Sequence, residues 1–251
     1  AITRGDIEKF YSELVKRSPA QANYAARVIR AVINFTAAKY RDVEGKKIIT
    51  ENPTQILSDT QTWRKIGRRK NLLRDPQIKE FWDFWENHDH LVAKRYHQLL
   101  LLTGMRGTAL LTLVRSQIHD PGVTFLNKNG DDLFLPFSDL AWGLLQEVLN
   151  SHRTKWVFPG PDQRSSMGEH GMRLHRNISV VETRVNYTRH DLRRTFMTLG
   201  DEIGLSQSMI KRLAGHRTQD VTEGYIITSA NTLLHATNQI SEAMQNICQT
   251  P

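Results

Sequence analysis

Apolar residues recur at spacings of three and four along much of the chain, and in one place that helical period gives way to a shorter one. Ile78, Phe81, Trp82 and Trp85 fall on one stripe of a helix beginning near Asp75. A second helix is expected from about Leu91 to Thr103, with Gly104 in its C-terminal cap, and a third carries Ala109, Leu110 and Leu113. The period then shortens. Val123–Leu126 and Leu133–Pro136 flank Asn127-Lys128-Asn129-Gly130, the pattern of a short hairpin. Ser138 can cap another helix through about Ser151, Phe158 to Gly171 reads as a loop rich in Gly, Pro and Ser, and helices resume after it. The expected fold class is mainly α with a small antiparallel β-sheet.

The front of the chain reads as a separate piece. Asp6 can cap a helix carrying Ile7, Phe10, Tyr11, Leu14 and Val15. Pro19 can start a second, with Tyr24, Val28, Ala31, Val32 and Phe35 at helical spacing. So few helices make a thin core, as expected for part of a small helical domain. Asn52-Pro53 breaks the pattern. The polar stretch after it ends in Arg64-Lys65-Ile66-Gly67-Arg68-Arg69-Lys70, five of whose seven residues are basic. The expected division is a helical segment 1–52, a basic linker 53–72, a main domain 73–228 and a C-terminal helix 229–251. A charge run of this kind is commonly a solvated face; on a basic protein it equally suits a strap across a phosphate backbone.

A net charge of +8 points to a polyanion, either nucleic acid or an anionic membrane surface. The longest apolar run, Leu99 to Leu102, is far too short to span a bilayer, and the opening AITRGDIEKF has no apolar signal core. The chain begins with alanine and its first helix is expected almost at once, as in a fragment of a longer protein. The single cysteine, Cys248, leaves no internal disulfide and no cysteine-based metal site. No P-loop, GxGxxG, HExxH or GxSxG string occurs. His88, Asp89 and His90, like His170 and His175, lack further ligands at useful spacing and read as surface residues, so no metal and no cofactor are expected.

The residues that carry chemistry lie in the second part. Thr103-Gly104-Met105-Arg106 puts an arginine just past a helix end, and the hairpin turn holds Lys128. In Tyr187-Thr-Arg-His190-Asp-Leu-Arg193-Arg-Thr-Phe196, Thr188 or Asn186 can cap a helix on which His190 and Arg193 share a face, while Leu192, Phe196 and Leu199 cover another. Leu205 to Leu213 reads as a capped helix stopped by Gly215, with His216 just beyond and Tyr225 nine residues on. Each alone suits a bland role: a capping arginine, a turn lysine, a packing tyrosine. As a set they suit phosphoryl transfer. Guanidinium forks match phosphate oxygens, and a pair offsets the charge that builds during displacement. A phenol with a reference pKa of about 10 needs a base or a strong positive field to attack. A histidine can supply the base, and a lysine can protonate a leaving sugar hydroxyl. The product would be a covalent phosphotyrosine ester.

Together, TGMR at 103–106, NKNGDDLFLP at 127–136, HDLRRTF at 190–196 and LAGHRTQDVTEGY at 213–225 resemble the tyrosine recombinases, which include the lambda-type phage integrases. The resemblance covers about Asp75 to Gln245, with the segment before Asn52 similar to the end of the family's helical core-binding domain. It implies the tyrosine recombinase catalytic fold, with Tyr225 as nucleophile and Arg106 and Arg193 holding the scissile phosphate. Lys128 is then the general acid toward the 5′ oxygen, His190 assists proton transfer at the tyrosine, and His216 hydrogen-bonds the phosphate. It also implies a 3′-phosphotyrosyl linkage, a homo-tetramer on two double-stranded DNA core sites, a Holliday junction intermediate, and a two-domain clamp into which the basic linker (Arg64, Lys65, Arg68, Arg69, Lys70) fits.

One position departs from the pattern. The family often has an acid three residues after the first arginine, and here Ala109 stands there. Ser229 can cap a last helix in which Leu233, Ala236, Ile240, Ala243 and Ile247 repeat; it can pack on its own domain or on a neighbouring protomer. The expected function is site-specific recombination for integration or excision of a phage or other mobile element. It would take place in the bacterial cytoplasm, at the nucleoid, with room for host DNA-bending proteins and no role for a membrane. Two alternatives stay open: a type IB topoisomerase-like relaxing enzyme, and a catalytically silent DNA-binding module of the same fold.

Overall fold

The computed structural model describes residues 2–67, 70–126, 132–160, 185–215 and 229–249. The chain divides into two compact units, Ala1–Arg69 and Lys70–Pro251.

In the first unit, α1 (Arg4–Arg17) is capped by Thr3 rather than by Asp6. Asp6 stands at the third helical position and its carboxylate accepts from the Thr3 backbone N–H (2.8 Å), while the Thr3 hydroxyl accepts from the Asp6 N–H (3.2 Å). This reciprocal pair satisfies two otherwise orphaned donors, which an Asp6 cap alone would not do. Ser18 ends α1 and caps α2 (Pro19–Lys39). The core holds Ile7, Tyr11, Ala22, Ala26 and Leu57. The apolar stripe expected to fill it, Tyr24, Val28, Ala31, Val32 and Phe35, is exposed instead, Tyr24 to 72%. The two sets lie about half a turn apart around α2. Helical spacing marks a stripe without saying which stripe is covered, and here the small face with Ala22 and Ala26 lets α1 approach closely. Phe10 of α1 is likewise exposed.

Residues 53–64, placed by sequence in the linker, pack onto this unit. A 3-10 turn (Pro53–Gln55) leads into α3 (Ile56–Asp59), whose Leu57 is fully buried. Trp63 meets Tyr11 edge-on, with ring centroids 5.9 Å apart. The Tyr11 hydroxyl donates to Asn23 Oδ1 (2.6 Å) and accepts the Arg64 N–H (2.9 Å), and Asn23 Nδ2 donates to the Arg64 carbonyl (2.8 Å). The Arg64 backbone is thus pinned while its side chain stays exposed, as are those of Lys65 and Lys70; Arg68 and Arg69 lie outside the described residues.

The second unit is built around α5 (Leu91–Thr103), which buries every residue from Tyr96 to Thr103. A helix this apolar on all sides belongs in the middle of a core. His90 caps it, its Nδ1 accepting the Ala93 N–H (3.2 Å). Around it pack α4 (Asp75–Glu86), burying Ile78, Phe81 and Trp85, and α7 (Asp139–Ser151), capped by Ser138 as expected. After the short α6 (Gly107–Leu111), the strands β1 (Ile118–His119), β2 (Gly122–Leu126) and β3 (Asp132–Pro136) form one antiparallel sheet in that order, with Val123 opposite Leu135. The sheet edge β1 was not foreseen: two residues are too few to show a period. Among the described residues three further helices follow: α8 (Arg189–Glu202), α9 (Gln207–Leu213) and α10 (Ala230–Gln249). α10 lies on the domain that precedes it, burying Ala236, Ile240 and Met244 in the common core. Among the described residues no helix is long and apolar enough to cross a membrane.

Candidate active site

Two glycines let three distant stretches of chain meet. Gly104 ends α5 in the left-handed region, at φ 59°. A Cβ there would come within 2.3 Å of the Phe196 ring, so only glycine permits α5 to end against α8. The close approach delivers the Gly104 carbonyl to Arg193, whose Nη1 donates to it at 2.7 Å. Gly215, at φ 61°, closes α9 and turns its own carbonyl to Arg106 Nη1 at 3.2 Å. Two guanidinium groups, 87 residues apart in sequence (193 minus 106), are therefore fixed by main-chain oxygens.

Their electrostatics suit an anion. No carboxylate among the described residues pairs with either arginine. Arg193 is only 3% exposed, and its Nη2 is buried without a hydrogen-bond partner among the described residues. Burial, with the Arg106 charge added, lowers the Arg193 pKa to about 10, so it stays charged at neutral pH. A buried donor left unmet costs free energy, and a phosphate oxygen would satisfy it.

His190 lies three residues before Arg193 on α8, with its ring exposed. Thr188 caps that helix in a reciprocal pair with Asp191, choosing between the two caps open from sequence. The His190 pKa is lowered, first by partial desolvation, then by the charges of Arg194, Arg193 and Arg106, with Asp191 opposing. The ring is then neutral above that depressed midpoint and able to accept a proton at pH 7; the capacity is lost as pH falls through it. An NMR titration should place the His190 midpoint below 6.5, the ordinary value. Arg194→Met should move it upward, because Arg194 also neutralises Asp191 at 3.0 Å. A wild-type midpoint at or above the ordinary value would show that the arginine charges and desolvation do not depress His190.

The back of α8 is stitched to the segment entering this unit: Leu73 N–H donates to Thr195 Oγ1 (2.9 Å), and Arg194 reaches the Asn71 carbonyl (3.4 Å). Its start is held by Tyr187, whose hydroxyl sits between Trp85 Nε1 (2.9 Å) and His97 Nδ1 (3.0 Å). These supports had no signal in the sequence beyond the helix periods that bring them near. Of the residues expected at the site, Arg106, His190 and Arg193 come together; Lys128, His216 and Tyr225 lie outside the described residues.

Residues 71–231, well over half of the chain, match the profile of the Phage integrase family. The chain belongs to that family. Among curated relatives of this integrase-family chain, Prophage integrase IntF of Escherichia coli (strain K12) is 20% identical over 235 residues. The match takes in 88% of this chain and 48% of IntF, so the chain spans about half the length of that relative. A lambda integrase dimer bound to a COC′ core site superposes with a TM-score of 0.66 at 16% identity, over 89% of this chain and 79% of the other. A lambda integrase tetramer bound to a Holliday junction gives 0.66 at 18%, over 88% and 66%. XerH site-specific recombinase bound to difH substrate gives 0.65 at 16%, over 96% and 69%. At these identities the likeness establishes the fold: mostly helical, with a small antiparallel sheet, as expected from the sequence.

Against the family pattern, Ala109 is half-buried and packs toward the core. The described partner of Arg106 is a main-chain carbonyl, and among the described residues no acid stands in for the missing one.

Proposed function

We propose that this chain is the DNA-cleaving part of a site-specific recombinase that integrates or excises a phage or other mobile element. The observation that carries the reading is the pair Arg106 and Arg193, brought together, among the described residues, without a carboxylate and with one buried guanidinium nitrogen unmet. Such a pair suits the trigonal-bipyramidal phosphoryl group of an in-line displacement. The Tyr225 oxygen attacks phosphorus, its proton passing toward His190. The bond from phosphorus to the 5′ oxygen breaks, and Lys128 protonates the departing hydroxyl. His216 donates to a phosphate oxygen. The 3′-phosphotyrosyl ester keeps the energy of the broken bond, so a second 5′ hydroxyl reverses the steps and joins a new strand.

The partner is double-stranded DNA carrying a specific core site, bound by a homo-tetramer, as in the lambda integrase complex on a Holliday junction. Host DNA-bending proteins fit the same picture. The linker crosses the phosphate backbone through Arg64, Lys65, Arg68, Arg69 and Lys70. Residues 53–64 fold onto the first unit, and of the six residues that follow, 65–70, four are basic.

Covalent trapping on a pool of nicked, randomised duplexes tests the chemistry, because the nick lets the cleaved strand diffuse away. An adduct that survives denaturation and maps to Tyr225 is expected, and the attached DNA would reveal the core site. Binding without an adduct would favour the silent module. DNA affinity should fall steeply with salt, by roughly 10³-fold between 50 and 200 mM for six or more phosphate contacts. A flat response would sink the clamp.

A further inference from the structure

The helix that presents Arg106 starts without the usual supports. Arg106 is the N-cap of α6 and makes no side-chain capping bond. Ala109 occupies the third helical position, where an acid could accept the cap's backbone N–H. Two side chains from other helices hold this turn instead. Tyr96, fully buried on α5, donates its hydroxyl to the Gly107 carbonyl at 3.0 Å. Arg189, the first residue of α8, lies across the Gly107 Cα. A Cβ at 107 would stand 2.7 Å from Arg189 Cδ and 3.2 Å from its Nε. The two side chains meet: burial raises the Tyr96 pKa, and a hydrogen bond from Arg189 opposes the rise. The bracket ties α5, α6 and α8 beside Arg106 on one side and His190 on the other. It therefore sets the gap between the two cationic elements of the site.

We propose that Tyr96 and Arg189 are positioning residues that hold Arg106 toward the scissile phosphate, in place of the acid absent at 109. The proposal rests on the recombinase reading for what Arg106 does, and on the contacts at Gly107 for how it is held. An ordinary core role for Tyr96 would tie it to stability alone. A positioning role ties it to the order of one distant guanidinium and to the rate of cleavage.

The test compares Tyr96→Phe, Arg189→Met and the double variant Tyr96→Phe/Ala109→Glu in the whole chain. One readout is the fast-timescale order of the Arg106 Nε–H from nitrogen-15 relaxation without DNA. The other is single-turnover cleavage of the nicked duplex pool, with DNA affinity and Tm measured alongside. Both single variants should loosen Arg106 and slow cleavage by about 10- to 100-fold, the cost of misplacing a reacting group by about 1 Å, with affinity nearly unchanged. Ala109→Glu should recover most of the loss in the Tyr96→Phe background without raising Tm in step. Unchanged order at Arg106 in both single variants, or a cleavage loss that Ala109→Glu leaves in place, would overturn the bracket. Should Tyr96→Phe fail to fold, Arg189→Met alone decides it, since that side chain is only half-buried. If the wild-type chain forms no adduct, the recombinase reading fails, and the order measurement still judges the bracket.

Discussion

Tyr225→Phe is expected to reduce covalent DNA attachment to background while DNA affinity changes by less than about tenfold, the worth of one neutral hydrogen bond. The variant removes only the oxygen that bonds to phosphorus. Affinity rests on phosphate contacts spread over the duplex, which the ring does not supply. The other tyrosines are poor substitutes. Tyr96 and Tyr187 have phenols engaged in hydrogen bonds, and burial raises both pKa values, which makes the phenolate harder to form. Tyr11 is locked against Asn23 and Arg64, and Tyr24 and Tyr40 belong to the first unit. The measurement is adduct yield on the nicked pool, with peptide mapping of any residue attached to DNA. Adduct persisting in the variant would place the nucleophile elsewhere.

Arg193→Met should lower cleavage on the order of 10²- to 10³-fold, as when one donor to a developing oxyanion is removed. Its stability should hold or rise. The guanidinium is almost wholly buried, one nitrogen is unmet among the described residues, and its pKa of about 10 lies below the ordinary 12.5. Folding therefore disfavours the charged form. Between those two values the unfolded chain binds more protons, so stability rises with pH across that window, and the full cost is present at pH 7. Methionine fills a similar volume without that cost, although the Gly104 carbonyl loses its donor. A site kept poised for a phosphate is commonly held at the expense of stability in this way. Inorganic phosphate or vanadate should raise the Tm of the wild-type chain and leave that of the variant unmoved. A drop of many degrees in the Tm of Arg193→Met would instead make Arg193 a structural residue.

The comparison between Arg193 and the α2 stripe shows what kind of information a sequence holds. Helix periods, caps and the one change of rhythm are local properties. They determined most of the succession of helices, the cap at Ser138, the αL stop at Gly104 and the pairing of β2 with β3. Motif order named Arg106, His190 and Arg193 as a set, because family resemblance records a meeting that local pattern cannot. Covering is a different matter. Whether Tyr24 and Phe35 or Ala22 and Ala26 face α1 depends on which surface finds a partner, and both stripes carry the same period. The same holds for the linker, where Trp63 and Leu57 gain more by burial against Tyr11 and α2 than their polar neighbours lose.

By itself, then, the sequence determined the helical class and most of the order of elements, since both follow from spacing along one chain; it missed α3 and β1, and it named the cationic residues only through motifs that resemble the family. Only the tertiary structure decided that main-chain oxygens of Gly104 and Gly215 hold the two arginines, that no acid among the described residues pairs with them, and that Tyr96 and Arg189 close over Gly107. Those are contacts between residues 11 to 109 positions apart. They are set by how closely α5, α6, α8 and α9 can pack, and glycine φ angles and ring contacts fix that approach without leaving a period to read.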